Sequence, residues 1–317
     1  MLRSSITGMS LILKLSLLFG GLLSTVYLAI CGVLYLRQTR MIFFPSPYVE
    51  VTPAGLGLDY EELWLPVAAD TVNLTSSSSP SSSPSPSLQH LHGWWIPAIA
   101  PETGVLLYLH GNGFNIGANL SHAARFHQLG FSVLLMDYRG YGRSEGEFPH
   151  EAQVYEDAET MWHYLVETRQ ISPDRIIVYG HSLGGAIAID LAARHPQLAG
   201  LIVDGSFTSM RHMVALSPML RFFPIDWLLT QQFNSLEKIR MLQIPILFIH
   251  GTADAKVPAS MSQTLHEAAP QSQLYLVPDA GHNDVAERAG TTYLETVQQF
   301  AQQAIRSDTG IGHRTGR

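Results

Sequence analysis

The chain holds a single cysteine, Cys31, among 317 residues. That excludes an internal disulfide and any multi-cysteine metal or iron–sulfur site. Charge is scarce too: Asp, Glu, Lys and Arg make up 14 % of the chain, against about 25 % in an ordinary soluble domain. What charge there is runs acidic, with 19 basic against 26 acidic side chains and a formal net charge of −7. No cationic excess is available to release counterions from phosphate, which excludes a polybasic nucleic-acid binder. Hydrophobic residues reach 46 %, too many for a chain disordered over most of its length. The length suits one large domain or two small ones.

Charge is absent altogether between Leu15 and Leu36, while Arg3 and Lys14 precede that run and Arg37 and Arg40 follow it. Crossing the hydrocarbon core takes about 20 apolar residues in a helix. Residues 1–40 therefore read as an N-terminal membrane anchor built on one transmembrane helix. A cleaved secretory signal is the competing reading, but the apolar region is long for one and no Ala-x-Ala site closes it. Leu28-Ala29-Ile30-Cys31 places bulky Ile30 where a lipoprotein cleavage box wants a small residue. Basic residues balance two against two, so orientation stays open. The following Met41-Ile42-Phe43-Phe44-Pro45 suits either the headgroup level or the underside of a folded domain.

Residues 41–306 read as the folded domain. Two short strands, 60–65 and 91–96, flank a tract at 76–87 made only of serine and proline, which buries nothing apolar and reads as a loop. From there strand and helix alternate. Apolar runs at 105–110, 133–137, 176–179, 201–204, 246–250 and 274–277 read as buried strands. Helical patterns fall near 119–129, 151–169, 184–194, 260–268 and 292–305. Short, continuously apolar strands between helices predict an α/β fold: a mostly parallel central sheet with helices on both faces. Chemistry in such sheets collects beyond the carboxyl ends of the strands. Residues 206–242 break the alternation and are rich in Met, Phe and Trp; ordinary core-covering helices and an apolar lid both fit. Residues 307–317 read as a polar tail.

Gly180-His181-Ser182-Leu183-Gly184 matches the G-x-S-x-G nucleophile elbow, and so does Gly142-Arg143-Ser144-Glu145-Gly146. Context separates them. Ser182 stands directly between a strand and an alanine-rich helix, as the elbow needs; Ser144 lies in a polar loop with Pro149 close behind. A serine hydroxyl needs a base, and the base an orienting acid. Downstream, strand 246–250 runs into Gly251-Thr252-Ala253-Asp254, and strand 274–277 into Pro278-Asp279-Ala280-Gly281-His282. Asp254 and His282 can thus converge on Ser182, in the chain order Ser, Asp, His of this fold. Asp204, also at a strand end, is the rival acid. Asp279 is too close in sequence to His282, Asp284 is placed to hold the histidine loop, and His181 points elsewhere if Ser182 faces the site. His110-Gly111-Asn112-Gly113 follows the first parallel strand, and the expected oxyanion donors are the backbone N–H groups of Asn112 and Leu183. No metal or organic cofactor is needed.

These segments, together with Asp137-Tyr138-Arg139-Gly140-Tyr141-Gly142, Gly205-Ser206-Phe207-Thr208-Ser209 and Gly281-His282-Asn283-Asp284, resemble the α/β-hydrolase superfamily. The branch they are similar to is that of membrane-anchored α/β-hydrolase-domain proteins, which includes bud-emergence-type hydrolases and, more remotely, depalmitoylases and serine aminopeptidases. The resemblance runs from about Tyr60 to Ile305. It implies Ser182 as nucleophile, Asp254 as orienting acid and His282 as base, and a structural loop around Ser144. The serine–proline tract departs from the pattern. The expected function is a membrane-tethered serine hydrolase acting on an acyl ester, a thioester or a lipid-like substrate. A peptidase of the same fold and an inactive anchored scaffold are the alternatives.

Overall fold

The computed structural model describes residues 11–68, 88–99 and 102–306. The serine–proline tract 76–87 and the tail 307–317 therefore lie outside the described residues. Eight strands form the main sheet: β1 (Glu61–Ala68), β2 (Leu88–Ile96), β3 (Gly104–Leu109), β4 (Phe131–Met136), β5 (Ile176–His181), β6 (Gly200–Asp204), β7 (Ile246–Gly251) and β8 (Ser272–Val277). Their spatial order is β1-β2-β4-β3-β5-β6-β7-β8. Strands β3 to β8 pair in parallel, and β2 runs antiparallel to both its neighbours, β1 and β4. Every residue of β3 and β4 is buried, which explains why these strands lack polar alternation.

Ten α-helices complete the described chain: α1 (Leu11–Ile42), α2 (Ile116–Gln128), α3 (Glu151–His163), α4 (Leu183–Arg194), α5 (Met210–Ala215), α6 (Ile225–Leu228), α7 (Ser235–Ile239), α8 (Ser260–Ala268), α9 (Val285–Ala289) and α10 (Thr291–Arg306). Each face of the sheet carries its own core. Leu107 and Leu109 pack with Val154 and Met161 of α3 and Ile187 of α4, while Leu106 and Tyr108 pack with Leu120 and Phe126 of α2 and Phe300 of α10.

Two helices differ from their sequence pattern. Helix α2 starts at Ile116, three residues before the apolar periodicity suggests. The Asn115 side chain accepts from the Gly117 amide (2.9 Å) and Asp137 Oδ1 accepts from the Ile116 amide (2.9 Å), so two of the orphan amides of the first turn are satisfied. Helix α3 ends at His163, and the chain continues through Tyr164–Thr168 as a wider π turn.

Helix α1 is 32 residues long, about 48 Å at 1.5 Å per residue. Its Leu13–Ile42 stretch is long and apolar enough to cross a membrane. It continues two residues past Arg40, and its carboxyl end is seated on the domain. Gln38 Oε1 accepts from the Thr230 amide at 2.8 Å and Gln38 Nε2 donates to the Leu228 carbonyl at 3.1 Å. Midway along, the Tyr27 hydroxyl donates to the Phe222 carbonyl at 3.0 Å and its ring stacks on Phe223. Of the aromatics after the helix, Phe43 is buried against Phe233, packed under the domain, while Phe44 stays exposed.

Candidate active site

Strand β5 ends at His181 and α4 begins at Leu183, leaving Ser182 to make the turn alone. It does so at φ 54°, ψ −118°, a backbone region that costs an L-residue strain and persists only where surroundings enforce it. The flanking glycines are part of that enforcement. A Cβ on Gly180 would stand 2.2 Å from the Gly184 carbonyl oxygen, and one on Gly184 would stand 2.0 Å from that of Leu109. The spacing G-x-S-x-G thus records two backbone crossings too close for any side chain. The Ser182 amide donates to the Asp204 carbonyl at 2.8 Å and fixes the turn to β6.

Above this turn three side chains meet. His282 Nε2 lies 3.0 Å from Ser182 Oγ, and His282 Nδ1 lies 2.6 Å from Asp254 Oδ2. The acid is held on both oxygens, since its Oδ1 accepts from the amides of Lys256 (2.8 Å) and Val257 (2.9 Å). Burial alone would raise the Asp254 pKa. Hydrogen bonds from His250, from His282 and from the Val257 amide overcome it and hold the carboxyl well below the usual carboxylate range. The histidine loop is pinned as well: Asp284 Oδ1 accepts from the Gly281 amide at 2.6 Å, and His181 Nε2 donates to the His282 carbonyl at 3.1 Å. Loss of water around the His181 ring lowers its pKa to about 4, so that ring is neutral at pH 7.

The rival groups are engaged elsewhere. Asp204 Oδ2 accepts from the hydroxyls of Tyr179 (3.0 Å) and Tyr293 (3.4 Å). The Asp279 amide donates to Thr252 Oγ1. Ser144, 9 % exposed, donates through Oγ to the Asp137 carbonyl and accepts from the His92 amide, each at 2.8 Å. It is a strut between β2 and the loop after β4.

The loop His110–Gly113 follows β3. Asn112 is held through its carbonyl and its side-chain nitrogen. Its carbonyl accepts from the Phe44 amide (2.8 Å) and the Tyr141 hydroxyl (2.8 Å), and its Nδ2 donates to the Ile42 carbonyl at 2.7 Å. The Tyr138 hydroxyl donates to the His110 carbonyl at 3.1 Å. Among the described residues, the amides of Asn112 and Leu183 have no main-chain acceptor. Both border the cleft that contains Ser182 and His282, with Leu183 at the amino end of α4, where helix geometry leaves N–H groups unpaired. The cleft measures about 440 Å³, and Phe207, Met210 and Met213 wall it from the chain between β6 and β7, with Met41 and Ile42 from the end of α1.

Two features escaped the sequence reading. His250, fully buried at the end of β7, places Nε2 2.9 Å from the Val257 carbonyl and 3.2 Å from Asp254 Oδ2, with Nδ1 2.6 Å from Ser262 Oγ. Its i,i+4 spacing to Asp254 was the only available signal. The Asn112–Ile42 bond joins residues 70 apart and had none.

Comparison with known proteins bears on the family. A family model described as serine aminopeptidase, S33, matches residues 100–237, and one described as TAP-like protein matches residues 225–310. Protein bem46 of Schizosaccharomyces pombe is 30 % identical over 283 residues, covering 85 % of this chain and 87 % of bem46. The chain belongs to the α/β-hydrolase family. The α/β-hydrolase domain-containing protein WAV2 of Arabidopsis thaliana is 27 % identical over 319 residues, 92 % of this chain and 96 % of its own. Among solved structures, the Pyrococcus furiosus esterase Pf2001 shares the fold at a TM-score of 0.62 and 20 % identity, over 83 % of this chain and 98 % of that one.

Proposed function

We propose that this α/β-hydrolase is a membrane-tethered serine hydrolase that cleaves a carboxylic ester or thioester through an acyl-enzyme. The observation that carries the reading is the unbroken line Ser182 Oγ, His282, Asp254, with contacts of 3.0 and 2.6 Å. Ser182 Oγ attacks the carbonyl carbon as its proton passes to His282 Nε2. Asp254 keeps Nδ1 protonated and steadies the imidazolium. The negative charge that develops on the carbonyl oxygen is taken by the amides of Asn112 and Leu183, a role supported by their place beside the cleft and their lack of a main-chain acceptor. His282 then protonates the leaving oxygen or sulfur, and water, deprotonated by the same ring, releases the acid and restores Ser182.

A peptidase would use the same line, and one matching family model carries an aminopeptidase description. Binding a free peptide amine calls for an anion beside the cleft. Among the described residues lining the cleft there is no Asp or Glu, whereas Phe207, Met210 and Met213 offer an apolar wall. That composition favours an acyl substrate. Helix α1 supports the tether, since its length and apolar composition suit one crossing.

The test is fluorophosphonate labelling of the full chain in detergent, beside turnover of a short activated ester. Wild type is expected to label and to hydrolyse, and Ser182→Ala to do neither. Full turnover by Ser182→Ala would remove the reading.

A further inference from the structure

A second cavity, of about 250 Å³, lies between the carboxyl end of α1 and helices α5 and α6. It adjoins the Ser182 cleft, because Met41, Ile42, Met210 and Met213 line both. Three of those four are methionines, unbranched side chains that change shape readily to pass or enclose an apolar ligand. The rest of the wall is mostly hydrocarbon, with Leu34, Val214, Ile225 and Leu228 prominent. Its one long polar side chain, Gln38, has its amide engaged with the main chain of Leu228, Thr230 and Gln231. One side of this space is therefore the membrane-crossing helix itself.

The outer surface of the same segment is apolar. Leu216, Met219, Phe222 and Trp227 are exposed, Trp227 at 87 %. Phe222 and Phe223 rest on Tyr27, nine residues before the end of the charge-free run at Leu36, or about 13 Å along the helix. A bilayer around α1 must therefore reach this segment. Arg221 and the Arg211–Asp226 pair set its depth at the boundary between hydrocarbon and headgroups, where charged heads reach water while apolar faces sink.

We infer that the cavity between α1 and residues 210–229 is the acyl-chain site, and that its occupant is the fatty acyl chain of a membrane lipid ester. This rests on the serine-hydrolase reading above. The chain slides out of the leaflet between α1 and the segment, lies along Leu34 and Val214, and brings its ester carbonyl past Met41 and Met213 to Ser182. Ser182 is 9 % exposed, so a substrate carbonyl must enter the cleft to reach it, which suits a slim lipid end better than an acyl group held close to a bulky protein surface. The anchor thereby forms part of the substrate site.

The decisive probe is a hexadecyl fluorophosphonate with a terminal diazirine, applied to the wild-type full chain in lipid vesicles. Ser182 Oγ bonds to phosphorus, fluoride leaves with the P–F electrons, and the hydroxyl proton passes to His282. Light then expels dinitrogen from the tip, and the carbene inserts into whatever surrounds it. Insertion into peptides spanning 34–42 and 210–229 is expected. Insertion confined to other segments, such as 113–122, while Ser182 is labelled overturns the site and leaves the hydrolase standing. Failure to label Ser182 with this probe and with a short fluorophosphonate alike removes both. In parallel, Ser217→Trp fills the cavity from its wall and should lower the ratio of kcat/KM for hexadecanoyl over butanoyl glycerol ester by about tenfold or more; an unchanged ratio in protein that still labels overturns the site. Faster cleavage of an S-hexadecanoyl peptide than of the lipid ester in the same vesicles overturns the lipid as occupant.

Discussion

Alanine at position 184 would strike the point where the serine turn and the oxyanion loop touch. The added methyl would stand 2.0 Å from the Leu109 carbonyl oxygen and 2.6 Å from that of His110, where ordinary contact begins at 3.4 Å. Both neighbours are main chain, so no rotamer relieves the clash. The end of β3 must move away from α4 by an ångström or more, or the elbow must distort. Overpacking of this sort costs about 1–3 kcal/mol, and the rigidity of both neighbours puts it at the upper end. At roughly 2–4 °C per kcal/mol for a domain near this size, Tm should fall by about 5–10 °C. Catalysis should suffer more than stability. The shift carries Asn112 away from Leu183, a misplacement of about 1 Å costs on the order of a hundredfold in rate, and loss of one donor costs about 10²–10³ in kcat. The assay pairs thermal unfolding with kcat on a short activated ester. Gly200→Ala is the control, because its methyl meets Ala304 and Phe300 of α10 at 3.1 Å, away from the cleft; it should lower Tm and keep kcat within about twofold. A Gly184→Ala protein with wild-type Tm and kcat would refute the reasoning. Equal loss of kcat in both variants would show that general loosening, and not the oxyanion loop, sets the rate.

Asp254→Asn should reduce kcat by about 10⁴ in folded protein, because an amide cannot hold His282 in the tautomer the reaction needs; steady-state kinetics reads this directly. Ser144→Ala leaves the buried His92 amide and Asp137 carbonyl each without the hydroxyl that joins them, so stability should drop by about 1–3 kcal/mol with kcat retained, and a dead but stable variant would contradict the strut assignment. His181 titrates near 4 when folded and near 6.5 when unfolded, so between those values the unfolded state binds the extra proton and stability falls as pH drops. His181→Gln should flatten Tm against pH over that window, and an unchanged slope would show that His181 does not set it.

What could be read from the sequence was local. Strands β3 to β8 announce themselves as apolar runs because both faces of the sheet are covered, and the elbow shows because two backbone crossings tolerate only glycine. Two copies of the motif were separable because only Ser182 stands directly between strand and helix. Boundaries slipped where the deciding contact came from afar, as when Asp137 satisfied the first turn of α2 from 21 residues away. A histidine at the end of an apolar strand reads as core, and only folding turns His250 Nε2 toward Asp254. Helix α1 runs two residues beyond Arg40, the last residue of the expected anchor. The contacts of Gln38 and Ile42 with the domain carry the helix on.

A common logic runs through the site. Asn112 has its carbonyl and its side-chain nitrogen bound, while its amide has no main-chain acceptor. Asp254 has Oδ1 on two amides and Oδ2 against His282 and His250. The two residues assigned to orient the base and to hold the oxyanion are thus each restrained by several bonds, a condition under which fixed dipoles would stabilise a developing charge without reorganising. Two of the three restraints on Asn112 come from Ile42 and Phe44, at the exit of α1. A helix that served only as a tether would need no more than length and apolar composition. Helix α1 and a residue just past its exit instead make hydrogen bonds to Asn112, the residue assigned to the oxyanion, so a displacement of the helix end would be felt at the proposed donor.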